Sequence, residues 1–368
     1  MSQVLKTAPA VFAVHDTYQI MVPVSCECVM WVKVGNECYY DDSNGILRSA
    51  VSMHRISVPV DELDKSGKYT VCYRKMIERK PYFSQTSEIY EEEFNFYPVN
   101  GEKIIAYHIA DAHNMIDAPV AAAKAFEKEN GRLSFLILNG DVPDHSGKIE
   151  NFDNIYEIVS QITGGEIPTV FSRGNHDTRG IYAENIAEYT PCENGNSYFT
   201  FRIGNIWGIA LDCGEDKLDS HEEYGNTVCC HAFRKRETAF IEKVIKNASE
   251  EYEADGIEHK IVVAHVPFTR RMTAPFNIEE GTYTYWAKLL RENIKPEIMI
   301  CGHMHKFSVD MPGCENDTFG QPCPVVVGSV PDFDSKGFAG AGFVFEKDKI
   351  AVTFNDKDKV IEKNIIQL

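Results

Sequence analysis

Lys103–Asn114 reads KIIAYHIADAHN: an apolar run that closes on Asp111, with His113 two positions further on. The segments downstream fix how that run is used. APVAAAKAFEKEN, residues 118–130, has helical spacing with Pro119 near its first turn. LSFLILNGD, residues 133–141, is a second apolar run and ends on Asp141. IENFDNIYEIVSQI, residues 149–162, is again helical by spacing, and PTVFSRGNHD, residues 168–177, is a third run. Strands alternating with helices imply parallel strands joined by crossover helices, an α/β sheet.

The same alternation continues towards the C-terminus. SYFTFRI and IWGIALDC read as strands across a Gly204–Asn205 turn, FRKRETAFIEKVIKNA as a helix, and HKIVVAH as a strand. TYTYWAKLLRENI then reads as a helix and EIMICGH as a strand. GAGFVFEKD, KIAVTFND and VIEKNIIQ read as antiparallel strands that close the domain. Upstream of Lys103 the texture differs. TYQIMVPVS, CVMWVKVGNECYY, AVSMHRISVPV, KYTVCYRKMI and IYEEEFNFYPV are short, rich in β-branched and aromatic residues, and separated by turn signals such as DDSNG and DKSGK. This predicts a small all-β sandwich, immunoglobulin- or fibronectin-like, over residues 1–99, and an α/β domain over 100–368, with PVNGEK as the linker.

Composition narrows the function. The 368 residues carry a formal net charge of -18, which argues against a nucleic-acid backbone or an anionic membrane as main partner. No run approaches the roughly 18 apolar residues of a membrane span. The N-terminus lacks the continuous apolar region of a secretory signal. The 11 cysteines are scattered without a CxxC pair, as free thiols in a reducing compartment would be. A cytoplasmic protein is expected.

The polar residues gather where strands end. Asp111 and His113 end the first run, Asp141 the second, and Asn175 and His176 follow the third. His265 ends a later strand, and His303 and His305 another. In open α/β sheets the carboxyl ends of the strands form the ligand crevice, so these stretches can converge. Carboxylate, imidazole and amide oxygen together suit divalent or trivalent Mn, Fe or Zn. Asp111 and His113 can hold one ion from a single turn, with His305. Asp141 can bridge two ions, and Asn175, His265 and His303 complete the second. Ions sharing such a bridge sit about 3.5–4 Å apart, a spacing that clamps both sides of a phosphoryl displacement.

These residues resemble the pattern of the calcineurin-like metallophosphoesterases: D-x-H, G-D-x-x-D, G-N-H-D/E, a single H, then G-H-x-H. Here they are DAH, GDVPD, GNHD, His265 and GHMH, in order, within residues 103–330. The resemblance implies a four-layer α/β/β/α sandwich and two metal ions. One would be held by Asp111, His113, Asp141 and His305, the other by Asp141, Asn175, His265 and His303. It implies hydrolysis of a small phosphomonoester or phosphodiester by metal-hydroxide attack, with His176 contacting the phosphate or protonating the leaving group. Asp144 would orient His176 by a hydrogen bond. A β-domain ahead of the catalytic domain resembles the layout of purple acid phosphatases, although NGDVPDH offers no tyrosine for a purple iron centre.

One departure concerns the phosphate grip. Many phosphoprotein phosphatases of this superfamily place an arginine directly after GDxxD; here His145 stands there. His145 and Arg270 are therefore candidates for substrate contact, with specificity expected in loops 213–231 and 267–283. His108, on the strand before Asp111, is expected in the core or behind the ligands. Two other readings share these residues: a metal-stabilised binding scaffold without turnover, and a nuclease of the same superfamily.

Overall fold

The computed structural model describes residues 4–368. The three runs that open the α/β region form adjacent parallel strands, Ile104–Ile109, Phe135–Asn139 and Thr169–Ser172. They sit in the middle of a ten-stranded sheet. On one side the antiparallel strands Gly337–Glu346, Lys349–Asn355 and Val360–Gln367 extend it, as the C-terminal pattern predicts. A six-stranded sheet carries Ile206–Leu211, His259–Ala264 and Ile298–Cys301 in parallel, flanked by Phe199–Ile203, Val325–Gly328 and Phe307–Asp310.

Three apolar clusters define the layers. Alternate residues of each strand serve opposite faces: Ala106, Ile137 and Val170 point into the core between sheets, and Tyr107, Leu138 and Phe171 point out. Strands buried on both faces read as continuous apolar runs, which is why these runs lack alternation. The outward residues meet the helices Asp117–Asn130 and Asp153–Thr163 through Val120, Phe126, Ile155 and Val159. The second helix ends at Gly164, whose left-handed backbone (φ 60) donates its N–H to Ser160 O. The six-stranded sheet is covered outside by Cys230–Lys246 and Glu280–Leu289, through Ile241, Val244, Tyr283 and Trp286. The order is helix, sheet, sheet, helix.

The first hundred residues depart from the two-domain expectation. Ala10–Val14, completely buried, pairs in parallel with Thr169–Ser172, and Thr17–Pro23 and Met53–Pro59 continue the same sheet antiparallel. Only Cys28–Val34, Glu37–Tyr40, Lys68–Glu78, Gln85–Thr86 and Tyr90–Asn95 form a separate five-stranded sheet. Its inward residues Met30, Val32, Tyr69 and Val71 share one apolar core with Ile20, Val22 and Ile137. Position 99/100 is thus a change of texture in the sequence but not a break in the sheet or the core. A seven-residue helix, Val60–Ser66, also lies where the composition gives only a turn; Val60 and Leu63 bury one face and Gly67 caps it. Among the described residues, no helix is long and apolar enough to cross a membrane.

Candidate metal centre

Every predicted ligand emerges from the carboxyl end of a parallel strand. The two sheets meet there. Asn139, at the end of its strand, donates from Nδ2 to the carbonyls of Ala264 (3.3 Å) and Ile300 (3.1 Å) in the opposite sheet. The following turns are zipped together by backbone bonds: Asp111 N–H to Gly140 O (3.1 Å), His113 N–H to Asp141 O (3.0 Å) and Gly302 N–H to His265 O (2.9 Å). His303 N–H lies 3.1 and 2.9 Å from the two carboxylate oxygens of Asp111.

Five of the seven predicted ligands have a left-handed backbone: Asp111 (φ 52), His113 (φ 42), Asp141 (φ 54), His303 (φ 65) and His305 (φ 48). Residues with a Cβ avoid this region, and such positions concentrate at sites where function fixes the geometry. Close approach adds to the constraint. A Cβ at Gly174 would lie 2.1 Å from Asp141 Oδ1, and one at Gly140 only 2.5 Å from the Gly174 backbone.

Three groups of side chains offer ligand atoms within 4.8 Å of one another: Asp111, His113 and His305; His113, Asp141 and His176; and Asp141, His265 and His303. Asn175 joins through Oδ1, 3.0 Å from His303 Nδ1. The donor chemistry of these groups fits a cation. His265 Nδ1 lies 2.6 Å from the carbonyl of Asn139, which only accepts, so Nδ1 carries hydrogen. Its Nε2 is buried and faces Asp141 Oδ2 at 3.1 Å and Asp111 Oδ1 at 3.7 Å. Positive charge is needed at that point. His113 repeats the pattern: Nδ1 donates to Asp144 Oδ1 (3.2 Å), and Nε2 faces His305 Nε2 at 3.2 Å. An imidazole that spends one N–H on a carbonyl or carboxylate and turns its other nitrogen inward is the arrangement of a metal ligand.

Titration follows the same field. Burial alone would lower the His265 imidazole, but the Asp141 and Asp111 carboxylates raise it to about 10. Burial opposes ionisation of Asp141, and the facing His265, with His176 and His113, nevertheless holds it well below the usual carboxylate range. Burial and the His265 charge push His303 down to about 4. His108 lies in the core as expected, kept neutral by burial at about 4, with Nδ1 on Gly328 O (3.1 Å) and Nε2 accepting from Asn139 Nδ2 (3.1 Å).

The remaining predicted residues divide. His176 reaches the cluster, and its Nδ1 is 2.8 Å from an Asp144 oxygen, but that oxygen is the backbone carbonyl. The Asp144 carboxylate stands 3.7 Å from His176 and is spent on His113 instead. His145 turns away: its Nδ1 accepts from Gly147 N–H (2.9 Å), folding the ring over its own loop. Arg270 lines a shallow recess with His303, and its guanidinium bonds Asn316 Oδ1 (2.6 Å).

Three residues at the site carry no role in the motif pattern. Asp177 Oδ2 accepts from Gly174 N–H (2.7 Å) and Asp141 N–H (3.2 Å), tying the second motif to the third. Burial and the Asp141 charge raise its carboxyl to about 7. Arg179 places Nη1 3.2 Å from His176 Nε2. Phe333, 55% exposed, sets its ring against His113 and His305, with centroids 5.5 and 6.0 Å away. Asp177 and Arg179 were within reach of sequence reasoning, since Asp177 closes GNHD and Arg179 stands two positions beyond it; Phe333 comes from a distant hairpin with no local signal.

Comparison with known proteins agrees with this geometry. The chain is 23% identical over 188 residues to a probable cyclic nucleotide phosphodiesterase of Rhodopseudomonas palustris; the match spans 50% of this chain and 62% of that relative. Its fold is similar to that of purple acid phosphatase PPD1 from yellow lupin (Lupinus luteus) seeds, with a TM-score of 0.60 and 14% identity, over 99% of this chain and 75% of that one. The family model for calcineurin-like phosphoesterases matches residues 104–307, a stretch that holds every candidate ligand and more than half of the sequence. The chain belongs to the calcineurin-like phosphoesterase family.

Proposed function

We propose that this chain is a dinuclear metal-dependent phosphoesterase that hydrolyses a phosphomonoester or phosphodiester of a small molecule. The observation that carries this reading is the convergence of buried carboxylates and inward-turned Nε2 atoms on points that need positive charge, above all His265 Nε2 between Asp141 and Asp111. Asp111, His113, Asp141 and His305 would hold one ion, and Asp141, Asn175, His265 and His303 the other. When bound, Mn, Fe or Zn ions supply an acidified water and neutralise phosphate charge.

The protein's own groups do the rest. His176, with its Nδ1–H fixed on the Asp144 carbonyl, turns Nε2 towards Arg179 Nη1. From there it contacts a phosphoryl oxygen or, when its ring is protonated on both nitrogens, passes the Nε2 proton to the departing alkoxide. The Asp144 carboxylate fixes the His113 ring. Arg270, which lines the recess beside His303, would meet the rest of the substrate. The relative from Rhodopseudomonas palustris makes phosphodiesters the first class to test.

The test is elemental analysis of protein purified without chelator, followed by hydrolysis assays with added Mn, Fe or Zn. The panel is bis(p-nitrophenyl) phosphate, p-nitrophenyl phosphate and a cyclic nucleotide. Metal-dependent release of alcohol from at least one ester is expected. Full metal occupancy with no hydrolysis of any ester would remove the proposal and favour a binding scaffold.

A further inference from the structure

We infer that Arg179 is the phosphate clamp of this site, a substrate-binding guanidinium supplied by the loop after GNHD rather than by the position after GDxxD. The inference rests on the phosphoesterase reading for its substrate, and on geometry for the clamp itself.

The position after GDxxD is unable to serve. It is His145, and His145 has folded over its own turn with Nδ1 accepting from Gly147. Further along, the chain delivers a permanent cation to His176. Arg179 is held by a buried acceptor. Its Nε is 3.0 Å from Glu215 Oε1 and its Nη2 3.1 Å from Glu215 Oε2, a two-point grip. The Glu215 side chain is 1% exposed and is itself fixed by Thr178 Oγ1 (2.7 Å) and the Tyr224 hydroxyl (3.0 Å). Two of the three guanidinium nitrogens are thereby committed, and the fork has one orientation.

The third nitrogen, Nη1, faces His176 Nε2 at 3.2 Å. Because the Asp144 carbonyl only accepts, His176 carries its hydrogen on Nδ1, and Nε2 receives the Arg179 N–H. A phosphoryl oxygen entering between them replaces a neutral acceptor with an anionic one, and charge-assisted hydrogen bonds are roughly twice as strong as neutral ones. Arg179 is 28% exposed on its side chain, so the free edge is reachable from the crevice. A guanidinium fixed in place beforehand loses little freedom on binding the anion.

The alternative is that Arg179 serves only to neutralise Glu215. Two variants separate these roles, with inorganic phosphate as the probe. Arg179→Ala removes the charge and leaves Glu215 buried beside no cation, which can impair folding. Arg179→Lys keeps a charge for Glu215 but cannot also reach His176. Phosphate binding to the metal-loaded protein is measured by calorimetry and by competitive inhibition of bis(p-nitrophenyl) phosphate hydrolysis. Metal content and melting are measured alongside. Phosphate affinity is expected to fall about ten- to a hundredfold in Arg179→Ala and by a smaller factor in Arg179→Lys, with metal content unchanged. Phosphate affinity equal to wild type in a folded, metal-loaded Arg179→Lys and Arg179→Ala overturns the clamp. If the wild type binds phosphate but hydrolyses no ester, the phosphoesterase reading fails while a loss of phosphate binding in the variants still upholds the clamp. If hydrolysis proceeds and the variants bind phosphate normally, the clamp fails alone.

Discussion

Replacing Gly174 by Ala tests whether the Asp141 carboxylate must sit where it does. The added Cβ would lie 2.1 Å from Asp141 Oδ1, 2.5 Å from Asp141 N and 2.9 Å from Asp141 Cγ. A relaxed carbon contact is about 3.5 Å, so carboxylate or turn must yield by roughly 1.4 Å. Rotating the side chain does not relieve the clash, because the backbone nitrogen is also too close, at 2.5 Å, and is tied to Asp177. Ligand distances tolerate about 0.2 Å, so the displacement is several times what a metal site accepts. Ion affinity should fall at least about ten- to a hundredfold, the effect of disturbing groups that only support a ligand. Overpacking should also cost about 1–3 kcal/mol of stability, read from melting of chelated protein. Gly281, on the helix Glu280–Leu289 with nothing within 4 Å of its added Cβ, is the control: Gly281→Ala should bind ions as wild type does. Titration of chelated protein with Mn or Zn, followed by elemental analysis, gives both constants. A Gly174→Ala protein with wild-type stoichiometry and affinity would refute the placement of Asp141 at the centre of the site.

His176→Ala should retain metal and lose about 10²–10⁴-fold in kcat on an aryl phosphate diester, because the side chain's hydrogen bonds go to Asp144 O and Arg179 Nη1, neither of which is a candidate ligand atom; steady-state kinetics beside metal analysis decides it. Chelation should lower the melting temperature, since Asp111 and Asp141 would then lie buried with only protons to balance them; an unchanged melt would show that no ion contributes to the fold. The pH dependence of the chelated protein has a definite sign. His265 is raised from 6.5 to about 10 in the folded state, so its stabilisation is complete below about 6.5 and disappears as pH climbs through about 10. Chelated wild type should lose melting temperature across that window and His265→Gln should not, whereas ions, which displace the His265 proton, should protect more strongly as pH rises.

The motifs were legible because strand ends in a parallel sheet put sequence-distant residues side by side. Asp111, Asp141, Asn175, His265 and His303 could be assigned to one crevice from the apolar runs ahead of them. The N-terminal boundary was misleading for a physical reason. Ala10–Val14 shows no more in its sequence than a short apolar strand, and nothing local says that its partner is the far-removed Thr169–Ser172. Edge-free central strands look alike whichever neighbour they find. Roles that depend on which atom of a residue is used were also hidden. Sequence pairs Asp144 with His176, but only geometry shows the carbonyl doing so while the carboxylate serves His113. Phe333 reaches the His113 and His305 rings from a hairpin far down the chain, and its own neighbours DFDSK read as a solvated turn.

The left-handed backbone of Asp111, His113, Asp141, His303 and His305 ties fold to chemistry. For a residue with a Cβ this conformation is about 1–2 kcal/mol less favourable than the right-handed one, and only Gly, Asn and Asp adopt it readily. Three of the five are histidines, so local preference opposes the turn at each of them. What holds them is the frame: strands buried on both faces deliver each turn in a fixed place, and backbone bonds such as His113 N–H to Asp141 O close one turn on the next. The tight curl also lets Asp111 and His113, two residues apart, point at one centre, which an extended backbone also permits but with the side chains spread about 7 Å apart. A site assembled this way is strained in parts and rigid as a whole. Its free energy comes from the surrounding layers, and the approach of His265 to two carboxylates becomes tolerable only when a cation or proton lies between them. The same dependence explains why glycines stand at 140 and 174, where the two turns touch: any side chain there would relax the curl by displacing Asp141 and His265.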